Sequence, residues 1–219
     1  MSDSKNDRYI RWTAFLLILL GGVYVGLIAL GIVTQDPETG FFRDQVKVMM
    51  EIATMISAML LLLFAMLIRN MLEPDRRLLA EISVLFMGIM AALTSTVHFI
   101  SITVSSVILN ANPQFIPLLS LDWPSVLLSV DILAWDVFFG IGFVFLGLSL
   151  RPIHRFKLTG GFMIVSGVLS LLGLIALPLD NMNIRYIGVA GYTIMPVISC
   201  ALFLHVSRKD KLSLNVKDG

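Results

Sequence analysis

The sequence predicts an all-α, polytopic membrane protein, a compact bundle of six transmembrane helices with the N and C termini cytoplasmic. Three observations predict it. First, the 219 residues are 57% hydrophobic and only 14% charged, with a mean hydropathy of +0.89. A soluble domain is about 45–50% apolar and about 25% charged, because it must clothe its surface in polar side chains. Second, the apolar residues fall into six continuous runs, each near or above the roughly 20 residues that cross about 30 Å of hydrocarbon. Third, the basic residues lie almost entirely on one side of those runs. Soluble enzymes and disordered chains are excluded by this composition. Nucleic-acid binders are excluded too, since a net charge of +1 supplies no basic surface for phosphates.

The first run, 12–33, exceeds the roughly 7–15 apolar residues of a signal peptide and is followed by no A-x-A-like site. It is expected to stay as a spanning helix, with 1–11 as a cytoplasmic tail. The second run is 46–68. The third, 80–109, is longer than a span needs and is expected to tilt or project. The fourth is 124–150, the fifth 158–177 and the sixth 186–206, leaving 207–219 as a second cytoplasmic tail. Continuous rather than alternating apolarity selects helices, since lipid satisfies no open backbone.

Orientation follows from Lys and Arg. Lys5, Arg8 and Arg11 precede the first run. Arg69, Arg76 and Arg77 follow the second, and Arg151, Arg155 and Lys157 follow the fourth. Arg208, Lys209, Lys211 and Lys217 follow the sixth. Only Arg43, Lys47 and Arg185 fall on the other side. The positive-inside rule puts the majority side, with both termini, in the cytoplasm. A bacterial or archaeal inner membrane is the expected location.

The connection at 110–123 has no basic residue, holds Pro113 and Pro117, and is half apolar. Proline discourages a regular helix there. The segment reads either as an interfacial loop anchored by Trp123 or as a lid over an outward cavity. Helix association in lipid needs close packing through small residues. Gly22, Gly26 and Ala29 supply such a stripe on the first run, Gly140, Gly142 and Gly147 on the fourth, Ser166, Ser170 and Gly173 on the fifth, and Gly188 and Gly191 on the sixth, where Pro196 is a kink position. The twelve Met residues are read as gap fillers. Cys200 stands alone, so no intrachain disulfide and no Cys-rich metal site is expected.

Ionisable residues at membrane depth mark function, because each costs at least about 2.5–3.5 kcal/mol to insert. Glu51, Glu81, His98, Asp131 and Asp136 are in that position, and His154 and His205 sit at run ends. Glu81 is near the inner surface and can snorkel. On the third run Thr94, Ser95, His98, Ser101 and Ser105 share a stripe. On the fourth, Asp136 shares one with Ser125, Ser129 and Gly140, while Asp131 is about 140° away at helical periodicity. Glu51 is four residues from Lys47, a spacing that allows them to pair. A His98–Asp131 or His98–Asp136 contact is expected between the third and fourth runs.

No mid-helix lysine, second membrane-depth histidine, H-E-x-x-H, Walker or G-x-S-x-G motif is present. No metal and no cofactor is therefore implied. The leading expectation is binding or transport of a small solute or protons through an outward-facing polar pocket built on His98, Asp131, Asp136, Glu51, Ser101 and Thr94. One alternative is a membrane-embedded enzyme using His98 with Asp131 or Asp136 as acid and base. The other is a non-catalytic subunit that packs against a partner membrane protein or a second copy. The expected partners are the lipid bilayer and a small-molecule ligand. In size and topology the chain resembles the substrate-capturing subunits of some vitamin importers, a likeness that carries no site residues.

Overall fold

The computed structural model describes residues 3–34 and 44–214. Arg43 and the extreme ends of both tails lie outside the described residues. All regular structure among the described residues is helical, and six helices are long and apolar enough to cross a membrane. They are α1 (Asp3–Thr34), α2 (Asp44–Met71), α3 (Arg77–Ile100), α4 (Val126–Leu150), α5 (Lys157–Gly173) and α6 (Tyr186–Leu214). The spans coincide with the six apolar runs. α1 begins before its run and α6 continues beyond residue 206.

Each helix packs on its sequence neighbours, and α6 returns to α1, so the six close a ring in chain order. The ring has two unlike halves. At the end that holds the termini, large apolar side chains fill it. Phe64, Phe143, Phe156, Phe203, Met87 and Leu146 are each at most 2% exposed. Phe156 stacks on Phe203 at 5.0 Å between centroids, and Phe139 on Phe143 at 4.7 Å. No Asp, Glu, His, Lys or Arg among the described residues is buried in that half. Charges there stay at the rim. Arg69 pairs with Glu81 at 2.6 Å, both half-exposed, and Arg77 Nε donates to the Leu72 carbonyl at 2.8 Å, pinning the α2–α3 connection. His154 and His205 are exposed.

Glycine makes the close contacts between α4, α5 and α6. A Cβ on Gly147 would stand 2.5 Å from the Gly160 carbonyl oxygen, and one on Gly191 2.7 Å from the Ser170 nitrogen. Ser166 Oγ donates to the Gly191 carbonyl at 2.6 Å. The stripe on α1 behaves differently from expectation. Nothing lies within 4 Å of a Cβ on Gly22 or Gly26, and both residues are exposed, as is Ala29. Of the six spans, α1 buries the smallest share. Its inner contacts come from Ile10, Ala14 and Leu17 near the termini, so the glycine pair farther along meets no neighbour among the described residues.

Two π-helical turns interrupt the spans at the far end. Ser101–Ser105 extends α3, and Leu133–Phe139 lies inside α4. Between them the chain runs through short helical pieces, Ser106–Ala111, Pro113–Phe115 and Ile116–Leu119. Phe115, Ile116 and Leu118 are exposed, as an interfacial segment requires. Ser125 joins this segment to α4. Its hydroxyl donates to the Ser120 carbonyl at 2.6 Å and accepts the Leu128 N–H at 3.1 Å, capping the helix.

Candidate functional site

The far half of the ring holds a connected set of ionisable side chains from four elements. Glu51 enters from α2, His98 from α3, Asp131 and Asp136 from α4, and Arg185 from the residue before α6. His98 Nδ1 is bonded to Glu51 Oε2. On the other side of the ring His98 Nε2 lies 3.3 Å from Asp131 Oδ1. Ser101 Oγ donates to Glu51 Oε1 at 3.2 Å, so both oxygens of that carboxylate are engaged. Arg185 Nε donates to Asp136 Oδ2 at 3.3 Å, and its terminal nitrogen stands 4.0 Å from Asp131 Oδ2. A chain of contacts thus runs Ser101, Glu51, His98, Asp131, Arg185, Asp136.

Local structure explains the convergence. In a regular α-helix residues five apart point in different directions, but the wider π turn closes i→i+5. The turn at Leu133–Phe139 brings Asp131 and Asp136, five apart, close enough for one arginine to span both. The connection before α6 folds back in successive turns, with Asp180 in the left-handed region at φ 46. That reversal delivers Arg185 inward. Asp136 itself presses into the seam of α5 and α6. A Cβ on Gly188 would stand 2.6 Å from its Oδ1, and one on Gly173 would stand 3.1 Å away. Glycine at both positions gives the carboxylate its room. Beneath the network, Trp135 packs on Tyr192 at 5.3 Å and on Phe139 at 5.8 Å. Tyr24 of α1 reaches the Thr54 side chain and lies within electrostatic range of Glu51 and Asp131.

The group is buried and incompletely paired. Side-chain exposure is 9% for His98, 7% for Glu51, 15% for Asp131, 14% for Arg185 and 0% for Asp136. His98 Nε2, Asp131 Oδ1, Asp136 Oδ1 and an Arg185 terminal nitrogen are buried without an aligned hydrogen-bond partner. The 3.3 Å approach of His98 to Asp131 is a charge contact rather than a hydrogen bond of good geometry. A neutral imidazole carries one N–H. Bonding both carboxylates at once therefore takes two protons among Glu51, His98 and Asp131.

Of the residues singled out in the sequence, the structure brings Glu51, His98, Ser101, Asp131 and Asp136 together. Thr94 lies one turn nearer the termini, fully buried, with its hydroxyl on the Met90 sulfur at 3.8 Å. One pairing differs from expectation, and one open alternative is resolved. Glu51 turns inward to His98 rather than toward Lys47, which is exposed near the helix end. Asp131, not Asp136, meets His98, and Asp136 takes Arg185. Arg185 enters the sequence argument only through the sidedness of the basic residues. Its signal was present: it is an isolated cation abutting an apolar run on the side poor in basic residues.

Fold and site together define an integral membrane protein with a buried ionic network in one half of its span. No family model, no curated protein and no solved structure matches the chain.

Proposed function

We propose that the protein binds a small solute or protons from the outer side of a cell membrane, with the Glu51–His98–Asp131 group as a proton-sharing relay. One observation carries the reading. Five ionisable side chains from four elements, three of them buried and two mostly so, are in contact, while the opposite half of the ring is packed with apolar side chains. Holding helices in register needs one pair. Five groups, four of them with unpaired buried atoms, suit a site that gains and loses protons, because histidine and carboxylates exchange them near neutrality. The sidedness of Lys and Arg supports placing this half outward. The Ser101 hydroxyl bonds Glu51 and not His98, which favours proton sharing over hydroxyl activation by the imidazole.

The test is an infrared difference titration of the protein in lipid nanodiscs between about pH 5 and about pH 8. Paired carboxyl and imidazole bands are expected, both altered in H98Q and E51Q. If the spectra show no carboxyl change, or are the same in H98Q, the relay reading fails.

A further inference from the structure

We propose that the network takes a small organic cation, an alkylammonium or a guanidinium, on Asp131 in exchange for a proton. This rests on the reading of the network as an outer binding site and names its ligand class.

Charge counting comes first. Three carboxylates face one arginine and one histidine. With the histidine charged the set still carries one negative charge too many. A surplus charge in a low-dielectric interior is held neutral by a proton or by a second cation. Entry of one monovalent cation and departure of one proton leave the total unchanged, so the two can alternate. Among the described residues the charged and titratable groups facing the site are Glu51 on α2, His98 on α3, Asp131 and Asp136 on α4, Arg185 and Tyr192 on the α6 side, and Tyr24 on α1. α5 contributes only the Ser166, Ser170 and Gly173 seam.

Asp131 is the receiving group because it differs from the other two acids. Ser101 and His98 engage Glu51, and Arg185 engages Asp136, which is fully buried. Asp131 is the most exposed of the three at 15%, and its Oδ1 has no aligned donor. Beside it His98 Nε2, on a side chain nine-tenths buried, is also unpartnered. Nitrogen donors fit better than a bare metal ion. Arg185 already places a guanidinium between the two aspartates. Among the described residues no group of three His, Cys, Asp or Glu is disposed to hold a metal. Trp135 and Tyr192 pack on each other beneath the network and Tyr24 lies within electrostatic range of Asp131, and aromatic rings attract organic cations.

The experiment uses the full chain in nanodiscs with W12F and W123F, two exposed positions, so that Trp135 alone reports. Methylammonium, guanidinium, tetramethylammonium, sodium and acetate are titrated in weak buffer with a pH-indicator dye. A saturable fluorescence change with an organic cation is expected, with one proton released per cation and weaker binding as pH falls. D131N should weaken binding by about tenfold or more, the scale of a lost charge-assisted contact. Should D131N not fold, E51Q replaces it, with loss of the proton release as the expected result. A response to sodium equal to that of the organic cations, a response to acetate only, or no response to any probe overturns the proposal. If the infrared titration above still shows carboxyl and imidazole changes, the relay survives that failure. If both are silent, both fall.

Discussion

Asp136 shows how little freedom a buried charge has in this bundle. Its carboxylate is fully buried, holds Arg185 through one hydrogen bond, and rests against the backbone of two glycines. Removing one member of a buried pair leaves the other uncompensated, at a cost of about 3–5 kcal/mol. D136A is therefore expected to destabilise the protein on that scale. The double change D136A with R185M should cost much less than the two single changes together, as thermal unfolding in detergent would show. An additive result would mean that the pair is not coupled. G188A acts from the other side. Its Cβ would meet Asp136 Oδ1 at 2.6 Å, and the Gly173 Cα at 3.0 Å and Ser170 carbonyl oxygen at 3.2 Å are backbone atoms that cannot swing aside. A loss of about 1–3 kcal/mol is expected, with the infrared band of Asp136 displaced. A stable G188A with an unmoved band would show that the seam relaxes freely. At this scale the sequence was half legible. The cost of charge in lipid picked out Glu51, His98, Asp131 and Asp136 without knowledge of the fold. Their partners were legible only in part: His98 was narrowed to Asp131 or Asp136 and no further, because helical periodicity gives the direction of a side chain only where the helix is regular. The π turn in α4 overturned that arithmetic for Asp131 and Asp136, and Arg185 depends on a reversal that no periodicity describes.

Among the elements, glycine content alone does not say which helices touch. Gly147 and Gly160 face each other across α4 and α5 with no space for a methyl group, while Gly22 and Gly26 on α1 face open space. Only the α1 pair has the four-residue spacing associated with close packing in lipid. The contrast predicts opposite outcomes. G22A with G26A should change stability by no more than about 0.5 kcal/mol, as for substitutions at open positions. G147A should cost about 1–3 kcal/mol by overpacking. Unfolding of both variants in the same detergent checks this, and equal sensitivity would place an unseen neighbour on α1. The element boundaries were the most legible feature of all. Six apolar runs gave six spans within a few residues, because span length is fixed by the thickness of hydrocarbon rather than by packing detail.

For the whole molecule, two independent asymmetries lie along one axis. Basic residues gather at the end that holds the termini, and buried ionisable groups gather at the opposite end, separated from the first by tightly packed phenylalanine, leucine and methionine. If the basic end is cytoplasmic, as the positive-inside rule expects, protons reach Glu51, His98 and Asp131 from outside alone. The orientation is checked with cysteines placed at exposed Asp75 and Asp122, at opposite ends of the bundle, in a background where Cys200, already fully buried, is serine. An impermeant thiol reagent added to intact cells should label position 122 and spare position 75. Access is checked in vesicles of known orientation carrying Trp135 as the sole tryptophan. A step in external pH should change its emission promptly, since the ring packs on Tyr192 beside the network. An equal step in internal pH should leave it unchanged for as long as the gradient holds, because among the described residues the apolar half offers no buried charged group to carry a proton across. Prompt responses from both sides would mean that the packed half opens on the timescale of the measurement, and the site would then be reached alternately from two sides rather than from one.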